Sequence, residues 1–229
     1  MTPVRALVAW SSGKDSAWTL HALQRDPGVE VVGLLTTTTR AFDRVAMHGV
    51  RRSLLGSQAR ATGLPLWEVP IPTPCSNEEY ATAMRETLAR ARREGIETVA
   101  FGDLFLEDVR RYREEQMRET GLQPLFPLWG QPTRELAEEM IAGGLRAVIA
   151  CVDPRQIPAG LAGREFDRAF LEELPDGADR CGERGEFHSF VTHGPMLRAP
   201  VPVRRGDVVE RDGFVFADLL PEGIEDAVA

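Results

Sequence analysis

The chain has 229 residues, of which 43% are hydrophobic and 27% charged, a composition typical of a soluble globular protein with a sizeable core. Its formal net charge of −8 argues against a general nucleic-acid binder, and no run of 18 apolar residues is present to span a membrane. The sequence begins without the apolar core of a signal peptide, so we expect a cytoplasmic protein.

The first half of the sequence predicts strands that alternate with helices. Residues 4–10 indicate a buried strand, and the helix that follows carries Trp18, Leu20 and Leu23 on its inner face. The further predicted elements are a strand at 29–37, a helix at 50–62, a strand at 65–71, a helix from a Ser76–Glu79 capping box to Gly95, and a strand at 96–103. This alternation predicts crossover connections and a parallel sheet, in which ligands bind beyond the carboxyl ends of the strands.

The second half of the sequence has a different texture, richer in proline and glycine. A helix is predicted from Thr133 to Ala142 and a strand at 146–153. Near the end, Arg205-Gly206-Asp207 and Asp212-Gly213 are typical of hairpin turns. We therefore predict an α/β fold in which a parallel-sheet, Rossmann-like nucleotide-binding domain (1–122) precedes a smaller α+β substrate-binding domain (123–229).

The segment Ser-Ser-Gly-Lys-Asp-Ser, residues 11–16, joins the first predicted strand to its helix. It lacks the GxxxxGK[ST] pattern of a Walker A loop. Small residues before a helix nevertheless offer free N–H groups and the positive end of the helix dipole to an anion. The segment's residues therefore predict a phosphate site: hydroxyls from Ser11, Ser12 and Ser16, close approach at Gly13, a cation at Lys14, and a Mg²⁺ ligand at Asp15.

Lys14 stands out because it is the only lysine of the chain, beside 26 arginines. Because this chain uses arginine wherever a positive charge is sufficient, the lysine at position 14 indicates that this position needs a compact ammonium group. A planar guanidinium cannot replace such a group.

Other candidates follow the predicted strands. Thr37 belongs to a threonine run that either lines an adenine pocket or reflects β-propensity alone. Gly102 and Asp103 end the strand at 96–103, where Asp103 either binds Mg²⁺ or a ribose hydroxyl, or caps a helix. Arg110 and Arg113 share a helix face and either clamp an anionic substrate or pair with neighbouring glutamates.

Near the end of the chain, the block Gly-Glu-Arg-Gly-Glu-Phe-His contains Glu183, Glu186 and His188 between glycines. Two carboxylates and an imidazole in this setting suit substrate binding and proton transfer, with His188 as a base near neutral pH. The alternative is an exposed loop with a capping glutamate. The separated Cys75, Cys151 and Cys181 give no CxxC motif, and we interpret them as structural thiols.

The loop resembles the SGGxDS pyrophosphate loop of the ATP pyrophosphatase superfamily, with Ser12 in place of the second glycine. Four further blocks, in the same order along the chain, extend the resemblance to the diphthine–ammonia ligase family and its bacterial-type branch: MHGVRR, FGDLFLEDVRRYRE, FPLWG and CGERGEFHSFVTHGPM. In MHGVRR, His48, Arg51 or Arg52 would lie near the rim of the nucleotide site.

The resemblance implies an adenine nucleotide alpha hydrolase-like fold and an AMP-forming ligase that uses ATP and Mg²⁺. In that family ATP adenylylates a carboxylate and ammonia then displaces AMP; the acceptor is diphthine, a modified histidine on elongation factor 2. We expect that acceptor or a related carboxylate here. The alternatives are a tRNA-thiolating ATP pyrophosphatase and a non-catalytic ATP-binding regulatory module. The oligomeric state stays open, with a homodimer as one alternative.

Overall fold

The computed structural model describes residues 2–39, 44–45, 50–72 and 74–222. The α-helices in this part of the chain are α1 (Lys14–Gln24), α2 (Arg52–Thr62), α3 (Asn77–Arg93), α4 (Glu107–Arg118), α5 (Thr133–Ala142) and α6 (Arg168–Glu173). The strands are β1 (Val4–Ala9), β2 (Val29–Thr39), β3 (Arg44–Val45), β4 (Leu66–Ile71), β5 (Thr98–Ala100), β6 (Gln123–Leu125), β7 (Arg146–Val152), β8 (Phe187–His193), β9 (Val203–Arg211) and β10 (Phe214–Pro221).

The first sheet is parallel through five strands, and its pairings give the order β4-β2-β1-β5-β6. The short β3 pairs antiparallel with the last residues of β2. Because β1 lies between β2 and β5, in the centre of this order, the loop after β1 lies near the middle of the carboxyl edge. This is the α/β architecture that the alternating sequence pattern predicts.

The second sheet is antiparallel, with the strand order β8-β7-β10-β9. β8 and β9 are therefore its two edges. It forms the smaller C-terminal unit expected from the sequence, so the predicted fold class is confirmed. No helix within the described ranges is long and apolar enough to cross a membrane.

One hydrophobic core joins the two sheets. It contains Leu20 of α1, Leu54 of α2 and Ala100 of β5, together with Phe190 of β8 and Val215 of β10. A second, smaller core fills the opposite face of the parallel sheet, under α3 and α4. The antiparallel sheet thus packs against the α1 and α2 side of the parallel sheet, and this arrangement brings the Gly-Glu-Arg-Gly-Glu-Phe-His block to the loop after β1.

Two local predictions have opposite outcomes. The capping box is confirmed: the Ser76 hydroxyl accepts from the Glu79 N–H, and the Glu79 side chain accepts from the Ser76 N–H. The predicted turn at Arg205-Gly206-Asp207 is wrong, because β9 continues through it. Its register against β10 shifts there, so the glycine marks an irregularity within a strand.

The other hairpin prediction is confirmed at Asp212-Gly213, which connects β9 to β10. Both residues have positive φ, 53° and 78°. Two consecutive positive φ angles suit the tight turn that joins antiparallel strands.

Candidate active site

The loop between β1 and α1 is attached directly to the open edge of β8. The Val191 N–H donates to the Ser12 carbonyl at 3.0 Å, and the Lys14 N–H donates to the Ser189 hydroxyl at 3.2 Å. A Cβ on Gly13 would lie 3.1 Å from the Ser189 carbonyl oxygen, so the lack of a side chain lets the loop approach the strand. The two sheets therefore meet at this loop.

Ser12 occupies the position where the resembled loop has glycine, and its backbone explains that preference. Its φ is +69°, in the left-handed region that residues with a Cβ rarely adopt. The side chain is fully buried, and its hydroxyl has no hydrogen-bond partner among the described residues. A strained residue with an unpaired buried hydroxyl, beside a helix N-terminus, is typical of a functional site.

The other two loop serines are engaged within the loop. The Ser16 hydroxyl donates to the Gly13 carbonyl at 2.9 Å and lies 3.1 Å from the Ser11 hydroxyl, which accepts from the Gly13 N–H at 3.3 Å. The N-cap residue of α1, Gly13, makes no side-chain cap hydrogen bond, and in the first turn the Lys14 N–H donates to the Ser189 hydroxyl. This start of α1 can therefore receive an anion through its backbone N–H groups.

Lys14 is buried in a small pocket under the loop. Its Nζ donates to the two Asp15 carboxylate oxygens at 2.9 and 3.0 Å and to the Cys181 carbonyl. The ring centroids of Phe187 and Phe166 lie 5.1 and 5.7 Å from Nζ, which adds cation–π attraction. Burial lowers the pKa of Lys14, but the nearby acidic groups, with Asp15 first, together outweigh it and the pKa is raised, so the ammonium remains charged.

Asp103 and Glu183 lie near Asp15. The Asp103 Oδ2 is 3.6 Å from the Arg113 Nε, and each of these two buried atoms has no hydrogen-bond partner within the described part of the chain. The Glu183 carboxylate accepts from the Leu104 N–H at 2.8 Å. Burial raises the pKa of Asp103, and burial together with the nearby carboxylates of Asp15 and Asp103 raises the pKa of Glu183 to about 7.

Gly102 packs the end of β5 against the start of α1. A Cβ on this residue would lie 3.0 Å from the carbonyl carbon of Asp15 and 3.1 Å from the Thr19 hydroxyl. Because the nearest neighbour is backbone, the contact cannot be relieved by a side-chain rotation. Gly102 therefore acts here as a spacer that sets how closely β5 and α1 approach.

His188 lies on β8 beside the loop and is half-buried. Burial, assisted by the charge of Lys14, lowers the pKa of His188 to about 4. The imidazole is thus neutral at physiological pH and only a weak base. The group whose pKa lies near neutrality is the Glu183 carboxyl, which differs from the sequence-based assignment of a near-neutral base to His188.

Glu186 is buried inside the turn that precedes β8. Its two oxygens accept from the Asp179 N–H at 2.8 Å and from the Arg184 N–H at 2.9 Å. Asp179, which the sequence analysis missed, accepts from the N–H groups of Cys181 and Glu183 and from the Thr133 hydroxyl. Both carboxylates therefore fix the segment that carries Glu183 toward the loop.

A second missed residue is Gln58 on α2, which is fully buried. Its amide donates to the Ser12 carbonyl at 3.0 Å and to the Val191 carbonyl at 2.7 Å, and it accepts from the Trp10 indole at 3.0 Å. One side chain thus joins α2, the loop and β8. A polar residue within the apolar stripe of α2 is the sequence signal that identifies it.

The remaining candidates are more dispersed. Arg110 pairs with Glu114 at 2.8 Å, and its guanidinium lies 4.7 Å from the Trp129 ring centroid. Thr37 is half-buried on β2, beyond the end of β1. His48 lies outside the described residues.

Two of the three cysteines are buried and unreactive, whereas Cys75 is partly exposed. Cys151 and Cys181 are buried, and burial raises the pKa of each, that of Cys151 to about 12. The Cys181 thiol donates to the Thr133 carbonyl at 3.3 Å. Both thiols therefore stay protonated at neutral pH, which gives no support to sulfur transfer from a cysteine.

The arrangement suits a Mg²⁺-bound nucleotide. The uncapped start of α1 and the orphaned Ser12 hydroxyl fit an anion, and the Asp15 and Asp103 carboxylates fit a hard cation. No group of three or more His, Cys, Asp or Glu side chains in the described part of the chain could hold a metal ion by itself. Magnesium commonly takes one or two carboxylates and completes its shell with phosphate oxygens and water.

Comparison with known proteins gives matches over most of the chain. A family model described as the diphthamide synthase N-terminal domain matches residues 4–124, and one described as the diphthamide synthase C-terminal domain matches residues 132–216. The diphthine–ammonia ligase of Homo sapiens is 28% identical over 239 residues, covering 94% of this chain and 88% of that protein. The diphthine–ammonia ligase of Danio rerio is 27% identical over 234 residues, covering 91% of this chain and 90% of that protein.

Proposed function

The chain belongs to the diphthamide synthase family, and we propose on this basis that it is an ATP-dependent ligase that joins ammonia to a diphthine-type carboxylate. The observation that carries the proposal is the loop after β1, where an uncapped helix start, a strained serine and the chain's only lysine meet. The half-buried carboxyls of Asp103 and Glu183 lie beside it.

In the proposed first step, an oxygen of the acceptor carboxylate attacks the α-phosphorus of ATP. An acyl-adenylate forms and the bond to pyrophosphate breaks. N–H groups at the start of α1, the hydroxyls of the loop serines and the Lys14 ammonium stabilise the charge that develops on the phosphate oxygens. Bound Mg²⁺, held by Asp15 and Asp103, would neutralise phosphate charge and orient the leaving pyrophosphate.

In the proposed second step, ammonia attacks the acyl carbon and AMP leaves with the bonding electron pair. The proton that nitrogen loses goes to Glu183, whose near-neutral pKa suits a general base. Neutral His188 orients ammonia or the acceptor by hydrogen bonding, and Glu186 fixes the segment that carries Glu183. Of the two arginines proposed to bind the acceptor, Arg113 lies beside Asp103, whereas Arg110 is stacked on aromatic rings.

Product analysis tests the proposal. Wild-type protein with MgATP, ammonium and diphthine-bearing elongation factor 2 should release one AMP and one pyrophosphate for each amide that forms. Lys14→Ala should lower turnover by about tenfold or more, because the loop loses its cation. The matched control is Arg25→Ala, which removes an exposed cation at the other end of α1 and should retain activity. Formation of ADP and phosphate would overturn the proposal.

The other functions weighed from the sequence are less favoured. Thiolation of tRNA needs a reactive sulfur carrier; the thiols of Cys151 and Cys181 are buried, and Cys75, which is partly exposed, has no second cysteine near it in sequence. A regulatory module without turnover would bind ATP and form no product in the same assay. The cytoplasmic location, the oligomeric state and the division of the chain near residue 122 stay predictions.

A further inference from the structure

The connection between β6 and α5, residues 126–132, lies beside the candidate active site and has no part in the reaction proposed above. It contains the block Phe-Pro-Leu-Trp-Gly, whose Leu128 is buried in the core that joins the two sheets. The Arg110 guanidinium of α4 lies 4.9 Å from the Phe126 ring centroid and 4.7 Å from the Trp129 ring centroid. The connection is therefore held by the core and by α4, and it is a firm support for the groups that it contacts.

One hydrogen bond from this connection holds the main chain that binds the Glu183 carboxylate. The Gly130 N–H donates to the Leu104 carbonyl at 2.8 Å. The Leu104 N–H in turn donates to the Glu183 carboxylate at 2.8 Å. Leu104 is thus fixed through its carbonyl by the connection, and through its N–H it sets where the Glu183 carboxylate lies.

The residue that follows the connection, Thr133 at the first position of α5, holds the turn that carries Glu183. Its hydroxyl donates to the Asp179 Oδ2 at 2.5 Å, and its carbonyl accepts from the Cys181 thiol at 3.3 Å. The other carboxylate oxygen of Asp179, Oδ1, accepts from the Cys181 N–H at 2.9 Å and from the Glu183 N–H at 3.1 Å. The positive end of the α5 dipole also favours a carboxylate at this place.

These contacts close a ring around Glu183. Leu104 holds its carboxylate, and Asp179 holds its main chain. Both of these residues are held by one short segment, because Gly130 binds Leu104 and Thr133 binds Asp179. The position of the Glu183 side chain therefore depends on residues 130–133, although these residues lie about 50 positions earlier in the chain.

We infer that residues 130–133 position the general base of the second step, with Thr133 as a positioning residue that acts through Asp179. The inference rests on the proposed ligase function, in which Glu183 takes the proton that ammonia loses. It gives the Phe-Pro-Leu-Trp-Gly block a role in amide formation and none in adenylylation. A group that is held at both its main chain and its carboxylate reaches the reacting nitrogen without a search among rotamers.

The two half-reactions give a test that a loss of folding would not imitate. Exchange of pyrophosphate into ATP, with diphthine-bearing elongation factor 2 and no ammonium, reports adenylylation. The rate of amide formation when ammonium is added to the preformed adenylate reports the second step. Thr133→Val keeps the size of the side chain and removes its hydroxyl. It should slow the second step about tenfold and leave the exchange rate and the KM for ATP within about twofold.

Two variants accompany this test. Thr133→Ser, which retains the hydroxyl, should recover most of the lost rate. The matched control is Thr87→Val, which removes a half-buried hydroxyl that donates to the Ala83 carbonyl within α3, and it should leave both half-reactions unchanged.

A pair of glycines tests the other end of the segment. Gly130 and Gly144 have φ angles of +75° and +88°, and no atom lies within 4 Å of a Cβ added to either. Alanine at either position should therefore cost a similar amount of stability in urea denaturation, through backbone strain alone. Only Gly130→Ala should also slow amide formation, because Gly144 lies at the far end of α5.

The outcomes separate the inference from the proposed function. Equal slowing of both half-reactions by Thr133→Val, no slowing of either, or no recovery in Thr133→Ser would overturn the positioning role and leave the ligase function intact. Equal rates of amide formation in the two glycine variants would overturn it as well. Wild-type protein that shows neither exchange nor amide formation would overturn the ligase function and the inference with it.

Discussion

The Val191 N–H of β8 donates to the Ser12 carbonyl at 3.0 Å and thereby joins the antiparallel sheet to the loop that follows β1 of the parallel sheet. The Gln58 amide bridges the same two residues by donating to both of their carbonyls. The nucleotide loop is thus held from the side of the second sheet, and its shape depends on contacts that are remote in sequence.

Replacing Gln58 tests this attachment. Gln58→Leu should lower the free energy of unfolding by about 2–4 kcal/mol, because the buried Trp10 indole and the two carbonyls lose a partner. Urea denaturation measures the change, and turnover should fall as the loop loosens. Gln24→Leu, an exposed change near the end of α1, should stay within about 0.5 kcal/mol of wild type. Equal effects of the two changes on the free energy of unfolding would contradict the role of Gln58 in holding the loop to β8.

Gly102→Ala tests the approach of β5 to α1. The added Cβ would meet the backbone of Asp15 at 3.0 Å, so α1 must shift, at a cost of about 1–3 kcal/mol in stability. A raised KM for ATP should accompany the shift. Gly177→Ala is the control, because no atom lies within 4 Å of its added Cβ. Unchanged stability in Gly102→Ala would show that α1 is not packed as tightly as described.

Ser12→Gly should stabilise the protein by about 1 kcal/mol, because glycine adopts a φ of +69° without strain and removes an unpaired buried hydroxyl. Asp212→Gly is the control: it has the only other positive φ among non-glycine residues in the described ranges, but it is exposed in a hairpin. Its gain should be smaller, since aspartate tolerates this conformation better. A loss of stability in Ser12→Gly would mean that the hydroxyl has a stabilising role.

The raised pKa of Glu183 predicts a pH dependence of stability. The folded state holds a proton on Glu183 up to about pH 7, whereas the unfolded chain releases it near the ordinary value of 4.5. Stability from this group is therefore fully present below pH 4.5 and is lost as the pH rises toward 7 and above. His188 contributes in the opposite direction, because its lowered pKa favours the folded state at higher pH.

Comparison with Glu183→Gln isolates this contribution. Between pH 5 and 8 the wild type should lose stability relative to Glu183→Gln in urea denaturation, and Glu115→Gln, which changes an exposed carboxyl, should follow the wild type. Parallel curves for wild type and Glu183→Gln would contradict a near-neutral Glu183. The amide variant should also lose turnover, as it cannot accept the proton from ammonia.

Much of the fold is predictable from local pattern. The β-branched run at 29–37, the Ser76–Glu79 capping box and the Asp212-Gly213 turn each carry their own signal within a few residues, and the structure has all three. The turn predicted at Gly206 is wrong because glycine occurs both in turns and at irregularities within strands. Only the pairing of β9 with β10 decides between the two. β5 is shorter than predicted because, after the Phe101 N–H donates to the Leu125 carbonyl of β6, the chain leaves the sheet toward α1 and Glu183.

The candidate site is predictable in its loop and not in its surroundings. The order of strand, small residues and helix identifies the anion site, because that geometry is local. The burial of Lys14 against Phe166 and Phe187, and the raised pKa of Glu183, depend on contacts made more than 150 residues along the chain from the loop. No pattern within the Gly-Glu-Arg-Gly-Glu-Phe-His block shows that Glu183 faces the loop after β1 whereas Glu186 fixes the turn before β8.

The burial of Lys14 gives the molecule a built-in chemical reporter. No other side chain carries a primary amine, so an acylating reagent has one lysine side chain to modify, and that residue is 2% exposed. Modification of Lys14 requires the loop to separate from the second sheet. The rate at which mass spectrometry detects that adduct, with and without nucleotide, therefore measures how often the two sheets part at the loop.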